Sequence, residues 1–230
     1  MISSPSRSVP EGFLAKRARL RRIAGLFDCP LPTRGYIVGK LATDPAYAAV
    51  FEKFGSSDRP IIDIGCGLGL LAHYLRGRGS RIPVFGYDFD EQKIRKARAA
   101  ASRGGLTDTH FEVGDVADLP PRAANLVLLD VIHYLAPAAR RKLLETLANR
   151  VGNGDAVLIR ATLRDKSWRY RITLAQECWT RWSGWIPSPA PIEFPTAAEI
   201  LAPFESAGCA CEMQPLWGRT PFNSYLLVAG

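Results

Sequence analysis

Three closely spaced glycines interrupt an apolar run in the stretch IIDIGCGLGLLAHYL, residues 61–75. Gly65, Gly67 and Gly69 directly follow a predicted buried strand and lead into a predicted helix. Glycine permits a tight turn and lets a ligand approach the backbone closely, and the first turn of a helix presents free N–H groups with positive polarity. The pattern predicts a turn that binds a nucleotide-like ligand.

Two common phosphate-binding motifs do not fit this turn. The dinucleotide pattern G-x-G-x-x-G needs a glycine at position 70, where the chain has Leu70, and the P-loop needs a lysine followed by serine or threonine. Asp63 lies two residues before the first glycine. Because its carboxylate would repel a phosphate and attract a cation, we expect a positively charged ligand.

Four motifs follow four successive predicted strands and together resemble those of class I S-adenosylmethionine-dependent methyltransferases. They are DIGCGLG, FGYDFD, FEVGDVADLP and LLDVIHYL. The resemblance covers residues 56–160 in detail and implies S-adenosylmethionine as the cofactor. This methyl donor carries a sulfonium and an ammonium group and no phosphate, which agrees with an aspartate beside the glycines.

The resemblance implies donor-binding roles for the first two motifs. Asp63 and the backbone of the glycine turn would hold the amino-acid end of the donor. The turn residues concerned are Gly65, Cys66, Gly67 and Gly69. Asp88, at the end of the second strand, would accept hydrogen bonds from both ribose hydroxyls, and Phe89 would lie against the adenine ring.

The later motifs would complete the donor site. Asp115 would accept a hydrogen bond from the adenine amino group, and the backbone of Val116 would complete that edge. Asp130 would contact the methionine part of the donor, and Val131 would face the methyl group. Lys40 either reaches the donor carboxylate or is an ordinary surface charge.

The residues after the fourth strand bear on the acceptor. The chain has neither the N/D-P-P-Y/F stretch of base amino-group methylases nor a cysteine near the fourth or fifth strand, which carbon-5 RNA methylases need. DVIHYL instead resembles the D-V-L-H-H-L of small-molecule methyltransferases. His133 would then be a general base for a hydroxyl acceptor, or would only hydrogen-bond to the aromatic insertion at 162–194, and Tyr134 is a weaker candidate for the base.

An aromatic segment at 162–194 follows the fifth strand. It forms either a small satellite core or a wall of the acceptor pocket, in which Trp168, Arg169 and Trp182 would bind substrate. Arg160 nearby could meet an acidic group of the acceptor. The strings SWRYRITL and LWGRTPF resemble methyltransferases of bacterial aryl-polyene pigment assembly, which implies an aromatic or polyketide-like acceptor, free or bound to an acyl carrier protein.

Two alternative functions stay open. The net charge of +8 and the pI of about 9.5 allow an RNA methyltransferase, although we do not expect nucleic acid as the partner. The other alternative is a donor-binding regulatory module without turnover. The basic run KRARLRR, residues 16–22, lies on a predicted amphipathic helix whose outer face is either solvated or docks to something acidic.

Composition and charge exclude several classes of protein. The chain is 47% hydrophobic and 23% charged, as globular proteins are, and it has no apolar run long enough to span a bilayer and no secretory signal. We therefore expect a soluble, cytoplasmic protein. The five cysteines and three scattered histidines favour neither a disulfide framework nor a metal site. No pattern indicates an oligomeric state.

The elements that position these residues alternate along the chain. Apolar strands separated by helices predict an α/β fold with a Rossmann-like, seven-stranded, mostly parallel sheet, helices on both faces and a C-terminal antiparallel hairpin. We expect one domain over 1–230. It would carry an N-terminal helical cap at 1–58 and the aromatic insertion at 162–194.

Overall fold

A seven-stranded sheet is the centre of the computed structural model, which describes residues 12–114, 122–152, 154–182, 193–218 and 220–230. Its strands in those ranges are β1 Ile61–Ile64, β2 Val84–Asp88, β3 Thr109–Val113, β4 Asn125–Leu129, β5 Ala156–Thr162, β6 Cys211–Pro215 and β7 Ser224–Ala229. Their order is β3-β2-β1-β4-β5-β7-β6. β1 to β5 are parallel, and β7 is antiparallel to β5 and β6. The predicted sheet with its antiparallel hairpin is confirmed.

Eight α-helices lie in the same described ranges. They are α1 Phe13–Gly25, α2 Leu31–Thr43, α3 Pro45–Phe54, α4 Leu70–Gly77, α5 Glu91–Arg103, α6 Pro137–Gly152, α7 Trp168–Trp182 and α8 Ala197–Ser206. A short 3-10 helix spans Ile132–Tyr134. None of the helices in these ranges combines the length and the apolar character needed to cross a membrane.

Two predicted helix starts are present in the structure. The Asp44 carboxylate accepts a hydrogen bond from the Ala46 N–H at 3.0 Å, which caps α3, and Pro45 occupies the first turn. At α8, Thr196 and Glu199 form a capping box. These local signals end the preceding segments and fix where each helix begins.

Helices cover both faces of the central strands. Successive side chains of β1 point to opposite faces, so Ile61 packs with the core beneath α1 to α5, whereas Ile62 and Ile64 pack with the core beneath α6 and α8. All four residues of β1 are buried. Polar side chains of the parallel strands therefore have access to a ligand only where the strands end.

The N-terminal helices belong to the first of these two cores. α1 contacts α2 and α4, and both α2 and α3 also contact α4. Their buried side chains include Leu20, Ile37 and Val50. The predicted amphipathic helix is α1, whose Arg17 and Arg21 lie on its exposed side.

The segment after β5 is joined to the loop between β6 and β7. The Asn223 side-chain amide donates to the Leu163 carbonyl at 2.9 Å and to the Asp165 carboxylate at 2.8 Å. The Asn223 backbone N–H donates to the Thr173 hydroxyl at 2.9 Å. These contacts hold the start of α7 at the edge of the sheet where β5 ends.

We expect the substitution Gly86→Ala in β2 to destabilise the protein by about 1–3 kcal/mol, because cores tolerate added volume poorly. A Cβ there would lie 2.6 Å from Phe111 Cδ1 and 2.8 Å from Cys66 Sγ. Gly39→Ala in α2 is the control, since no atom of the described residues beyond its chain neighbours and the backbone of its own helix lies within 4 Å of the added Cβ. It should raise helix stability by about 0.5–1 kcal/mol. Urea denaturation measures both, and an equally stable Gly86→Ala variant would contradict this packing.

Candidate functional site

The glycine turn is attached to the neighbouring strand by its backbone. The N–H groups of Gly65 and Cys66 both donate to the Tyr87 carbonyl of β2, at 2.7 and 3.0 Å. The three glycines have positive φ angles of 72°, 55° and 69°, and the last of them, Gly69, is the N-cap of α4. The start of α4 is thereby held at the edge of the sheet where β1 and β2 end.

Two of the glycines are also required by close packing. A Cβ at Gly65 would overlap the Val131 side chain, and a Cβ at Gly69 would lie 2.5 Å from Phe111 Cζ. Positive φ disfavours any other residue at both positions. The turn thus packs tightly against Val131, two residues after the end of β4, and against Phe111 of β3.

Asp88 connects the end of β2 to the glycine turn. Its Oδ2 accepts a hydrogen bond from the Gly67 N–H at 2.8 Å, and its Oδ1 accepts one from the Asp90 N–H at 2.9 Å. The side chain is buried, with the residue 6% exposed. Each carboxylate oxygen has capacity for a further hydrogen bond, so two donors of a ligand can add to the two backbone amides.

Asp63 is a second buried carboxylate close to the same turn. It is 3% exposed. Burial, together with the charge of Asp88, raises the pKa of Asp63 to about 7. The tyrosine Tyr47 of α3 also lies within electrostatic range of Asp63. A cation bound here would stabilise the ionised carboxylate and return its pKa toward the ordinary range.

The other predicted donor contacts differ in their surroundings. Phe89 is 79% exposed directly after Asp88, with Lys93 Nζ 5.9 Å from its ring centre, so one ring face is free for a planar ligand. Cys66 contributes backbone, while burial raises the pKa of its thiol. Asp115 and Val116 lie outside the described residues.

A compact group of charges lies at the end of β4, next to the turn. Asp130 pairs with Arg160 of β5 and, at 3.6 Å, with Lys40 of α2. Arg160 Nη1 also donates to Asp44 Oδ2 at 3.1 Å, and Lys40 Nζ lies 3.5 Å from the same oxygen. Asp130 and Lys40 thus have protein partners as well as any role toward the donor, and Arg160 is buried rather than directed at an acceptor.

The backbone of Asp130 is unusual. Its φ is 63°, and it is the single described residue other than glycine with positive φ. Such a conformation costs on the order of 1–3 kcal/mol and persists where the surroundings enforce it. Here the ion pairs of its side chain hold it, and its neighbour Val131 consequently faces Gly65.

His133 lies deeper than its sequence position suggests. It is 2% exposed, and neither ring nitrogen has a hydrogen-bond partner among the described residues. Its ring lies 4.1 Å from that of Tyr134 and 5.2 Å from that of Phe194, measured between ring centres. Burial lowers the pKa of His133 to about 4, so the imidazole is neutral near pH 7. Burial also raises the pKa of Tyr134, which disfavours its phenolate.

The predicted substrate residues of α7 form a stacked group. The Arg169 guanidinium lies 4.8 Å from the ring centre of Trp168 and 4.5 Å from that of Trp217, and it donates to the Thr220 carbonyl at 2.7 Å. Trp168 remains more than half exposed. The side chain of Trp182 lies outside the described residues.

Sequence reasoning missed how the charged residues pair. Arg160 is a charged residue inside the otherwise apolar strand AVLIRAT, and that position was the available signal for a buried ion pair. Its partners Asp44 and Asp130 come from distant parts of the chain. Trp217, which stacks on Arg169, carried no local signal.

A family model described as a methyltransferase domain matches residues 61–154. Ribosomal protein L11 methyltransferase from Pseudomonas aeruginosa is 36% identical over 93 residues, which are 39% of this chain and 31% of that protein. Carboxy-S-adenosyl-L-methionine synthase from Shewanella pealeana is 25% identical over 162 residues, 66% of this chain and 64% of that protein. The matches thus span about a third of the first relative and less than two thirds of the second.

Solved structures share the fold. Magnesium protoporphyrin IX methyltransferase from Synechocystis, crystallised with bound SAH, has a TM-score of 0.63 and 20% identity, over 92% of each chain. At this identity the likeness concerns the fold. The family match extends across the glycine turn, Asp88 and the end of β4, so residues 61–154 are similar to a methyltransferase domain, and the fold is that of this solved methyltransferase.

Proposed function

We propose that the chain transfers a methyl group from S-adenosylmethionine to a small acceptor, aromatic or polyketide-like. The observation that carries this proposal is the pair of buried carboxylates, Asp63 and Asp88, on either side of the glycine turn. A phosphate ligand would be repelled there, whereas a donor with two positive groups and two ribose hydroxyls is matched by it.

The described residues fit the donor from the ribose outward. Asp88 already has both oxygens fixed by backbone amides, so it is oriented before the ribose hydroxyls arrive. Phe89 offers an exposed ring for the adenine. Asp63 would pair with the donor ammonium, and Lys40, whose side chain is 27% exposed, would turn toward the donor carboxylate.

When bound, S-adenosylmethionine supplies an electrophilic methyl group on a sulfonium. The chain's task is then to align an acceptor atom behind that methyl and to exclude water. Val131, next to the turn, would face the methyl. The neutral imidazole of His133 would take the proton from a hydroxyl acceptor, and Tyr134 is the weaker candidate for the same proton.

The aromatic character of the surrounding residues supports the acceptor class. His133, Tyr134 and Phe194 form one ring cluster, and Tyr170 meets Phe194 edge to face at 5.8 Å. Trp168 and Arg169 would extend this wall at the surface. Apolar and aromatic walls with few polar groups are typical of sites for small organic ligands.

An RNA acceptor is the second candidate, and the exposed cations Arg17, Arg21 and Arg22 of α1 favour it. A transfer assay with labelled methyl donor separates the possibilities. Labelling of small phenolic acids, free or carrier-bound, supports our proposal. Labelling of RNA, together with an RNA affinity that falls steeply with salt concentration, would show that the acceptor is RNA instead. Donor binding without transfer to either would indicate a regulatory module.

Replacing Asp88 with alanine should weaken donor affinity at least tenfold. The change removes two charge-assisted hydrogen bonds to the ribose, each worth roughly 1.5–3 kcal/mol. Titration calorimetry with S-adenosylmethionine measures it. Asp90→Ala is the control, because Asp90 caps α5 through Gln92 and Lys93 and its backbone contact to Asp88 survives. If the Asp88→Ala variant bound S-adenosylmethionine with normal affinity, Asp88 would not bind the ribose.

Donor affinity should increase as pH rises from about 5.5 to 7.5. The pKa of Asp63 is raised to about 7, and the cationic donor prefers the ionised carboxylate, so binding releases a proton. Calorimetry in buffers of different ionisation enthalpy counts that proton. Asp63→Asn should bind more weakly, release no proton and lose the pH dependence, and the same slope in this variant would contradict the assignment.

The same carboxylate should influence stability with the opposite trend. Its pKa is higher in the folded protein than the ordinary 3.8, so the folded state retains a proton that the unfolded state loses. The contribution of Asp63 to the free energy of unfolding therefore falls as pH rises from about 4 to about 7. Comparing urea denaturation of wild type and Asp63→Asn across this range isolates that contribution.

Removal of the His133 imidazole should lower kcat by roughly 10²–10⁴ if a hydroxyl is methylated, the usual value of a general base. Because burial lowers the pKa of His133 to about 4, the wild-type rate should fall only as pH approaches 4. His73→Ala is the matched control, since His73 is also buried with a pKa lowered to about 4, but packs against Phe27. A near-normal kcat in His133→Ala would show that His133 is not the general base, and it would not contradict methyl transfer itself.

A further inference from the structure

The charges at the end of β4 form one cluster, which we call the Arg160 cluster: Lys40, Asp44, Asp130 and Arg160. Two cations face two carboxylates, so the cluster is electrically balanced. Arg160 is its centre, because Nη1 contacts both Asp130 and Asp44 while Nη2 donates to the Ser224 hydroxyl at 2.9 Å. One buried guanidinium therefore joins the start of α3, the end of β4 and the start of β7.

Each carboxylate of the cluster lies next to a segment that contacts either the glycine turn or α4, the helix that follows the turn. Asp130 has the left-handed backbone that presents Val131 to Gly65. Asp44 begins α3, which packs against α4 through Tyr47 and Tyr74, whose ring centres lie 5.6 Å apart. Arg160 itself is buried and is occupied on both terminal nitrogens. Its effect on the turn is therefore indirect, through the positions of α3 and of the residues after β4.

The cation Lys40 differs from Arg160 in exposure. The Lys40 side chain is 27% exposed, against 10% for that of Arg160, and its contacts of 3.5 and 3.6 Å are longer than the 3.1 Å from Arg160 to Asp44. Lys40 can therefore turn toward a ligand carboxylate while Arg160 continues to neutralise Asp44 and Asp130. Without Arg160, the same movement of Lys40 would leave two partly buried carboxylates, Asp44 and Asp130, without these cations.

We propose that Arg160 is a positioning residue for donor binding. Its ion pairs with Asp44 and Asp130 join the start of α3 to the end of β4, and they leave Lys40 free to pair with the donor carboxylate. This inference rests on the proposed donor site. Arg160 stabilises the arrangement in which Val131 faces Gly65 and α3 packs against α4. Donor affinity then depends on a side chain that the donor never contacts.

Two conservative variants test whether the pair of Arg160 with Asp44 affects donor binding. Asp44→Asn keeps an oxygen that can cap α3 at Ala46 but removes the charge that Arg160 pairs with. Arg160→Lys keeps the charge but cannot reach three partners at once. Arg150→Lys is the matched control, since Arg150 forms a part-buried pair with Asp155 at 2.6 Å at the opposite end of β5.

Titration calorimetry with S-adenosylmethionine and S-adenosylhomocysteine should show affinity weakened roughly 3- to 30-fold in both cluster variants. The double variant should be little worse than either one, because both changes break the same contact. Amide hydrogen exchange of the ligand-free protein should be faster over residues 45–54. Arg150→Lys should lose stability while its donor affinity and its exchange at 45–54 stay at the wild-type level.

Several results would overturn the inference. Wild-type affinity in both cluster variants, additive losses in the double variant, or a lower melting temperature with unchanged affinity would each reduce Arg160 to a structural ion pair. If the wild type bound neither ligand, the proposed function would fail and this inference with it. Normal donor binding in the wild type with unaltered exchange in the variants would overturn this inference alone.

Discussion

A parallel sheet covered on both faces restricts where polar chemistry can occur, and the organisation of this protein follows from that constraint. The central strands bury nearly every side chain, so the groups of the proposed donor site collect where β1, β2 and β4 end. The hydrogen bond from the Gly67 N–H to Asp88 joins two of those ends. The glycine turn, the two carboxylates and the left-handed Asp130 all lie along this one edge.

The site is organised by charges that are only partly compensated inside the protein. Asp130 and Asp44 have Arg160 and Lys40 as partners. Burial and the charge of Asp88 instead raise the pKa of Asp63, and no cation of the described residues is among the causes of that shift. An unpaired buried carboxylate is unfavourable, and a cationic ligand relieves it. The same pair of residues therefore disfavours phosphate and favours a sulfonium or ammonium compound.

The fold and the turn could be predicted because their signals are local. Apolar strands, glycine-ended helices and the caps at Asp44 and Thr196 each depend on a few neighbouring residues, and the structure agrees with them. The ion pair of Asp44 with Arg160 joins residues 116 positions apart, and no spacing rule relates them. The burial of His133 could not be predicted for the same reason. Its position in the sequence predicted a place beside the donor, but its burial depends on packing by Phe194, which comes from a distant part of the chain.

The separation between Asp44 and Arg160 also has a consequence for how the site comes into existence. Closing so long a loop costs chain entropy, which is recovered only when the N-terminal helices have docked on the sheet. Contacts of this kind form late on average, and topologies rich in them fold slowly. A nascent or partly unfolded chain can therefore contain a complete glycine turn and still lack one wall around it. In the cell, S-adenosylmethionine would then bind and stabilise only molecules whose N-terminal helices have docked, and so favour completion of the last step of folding.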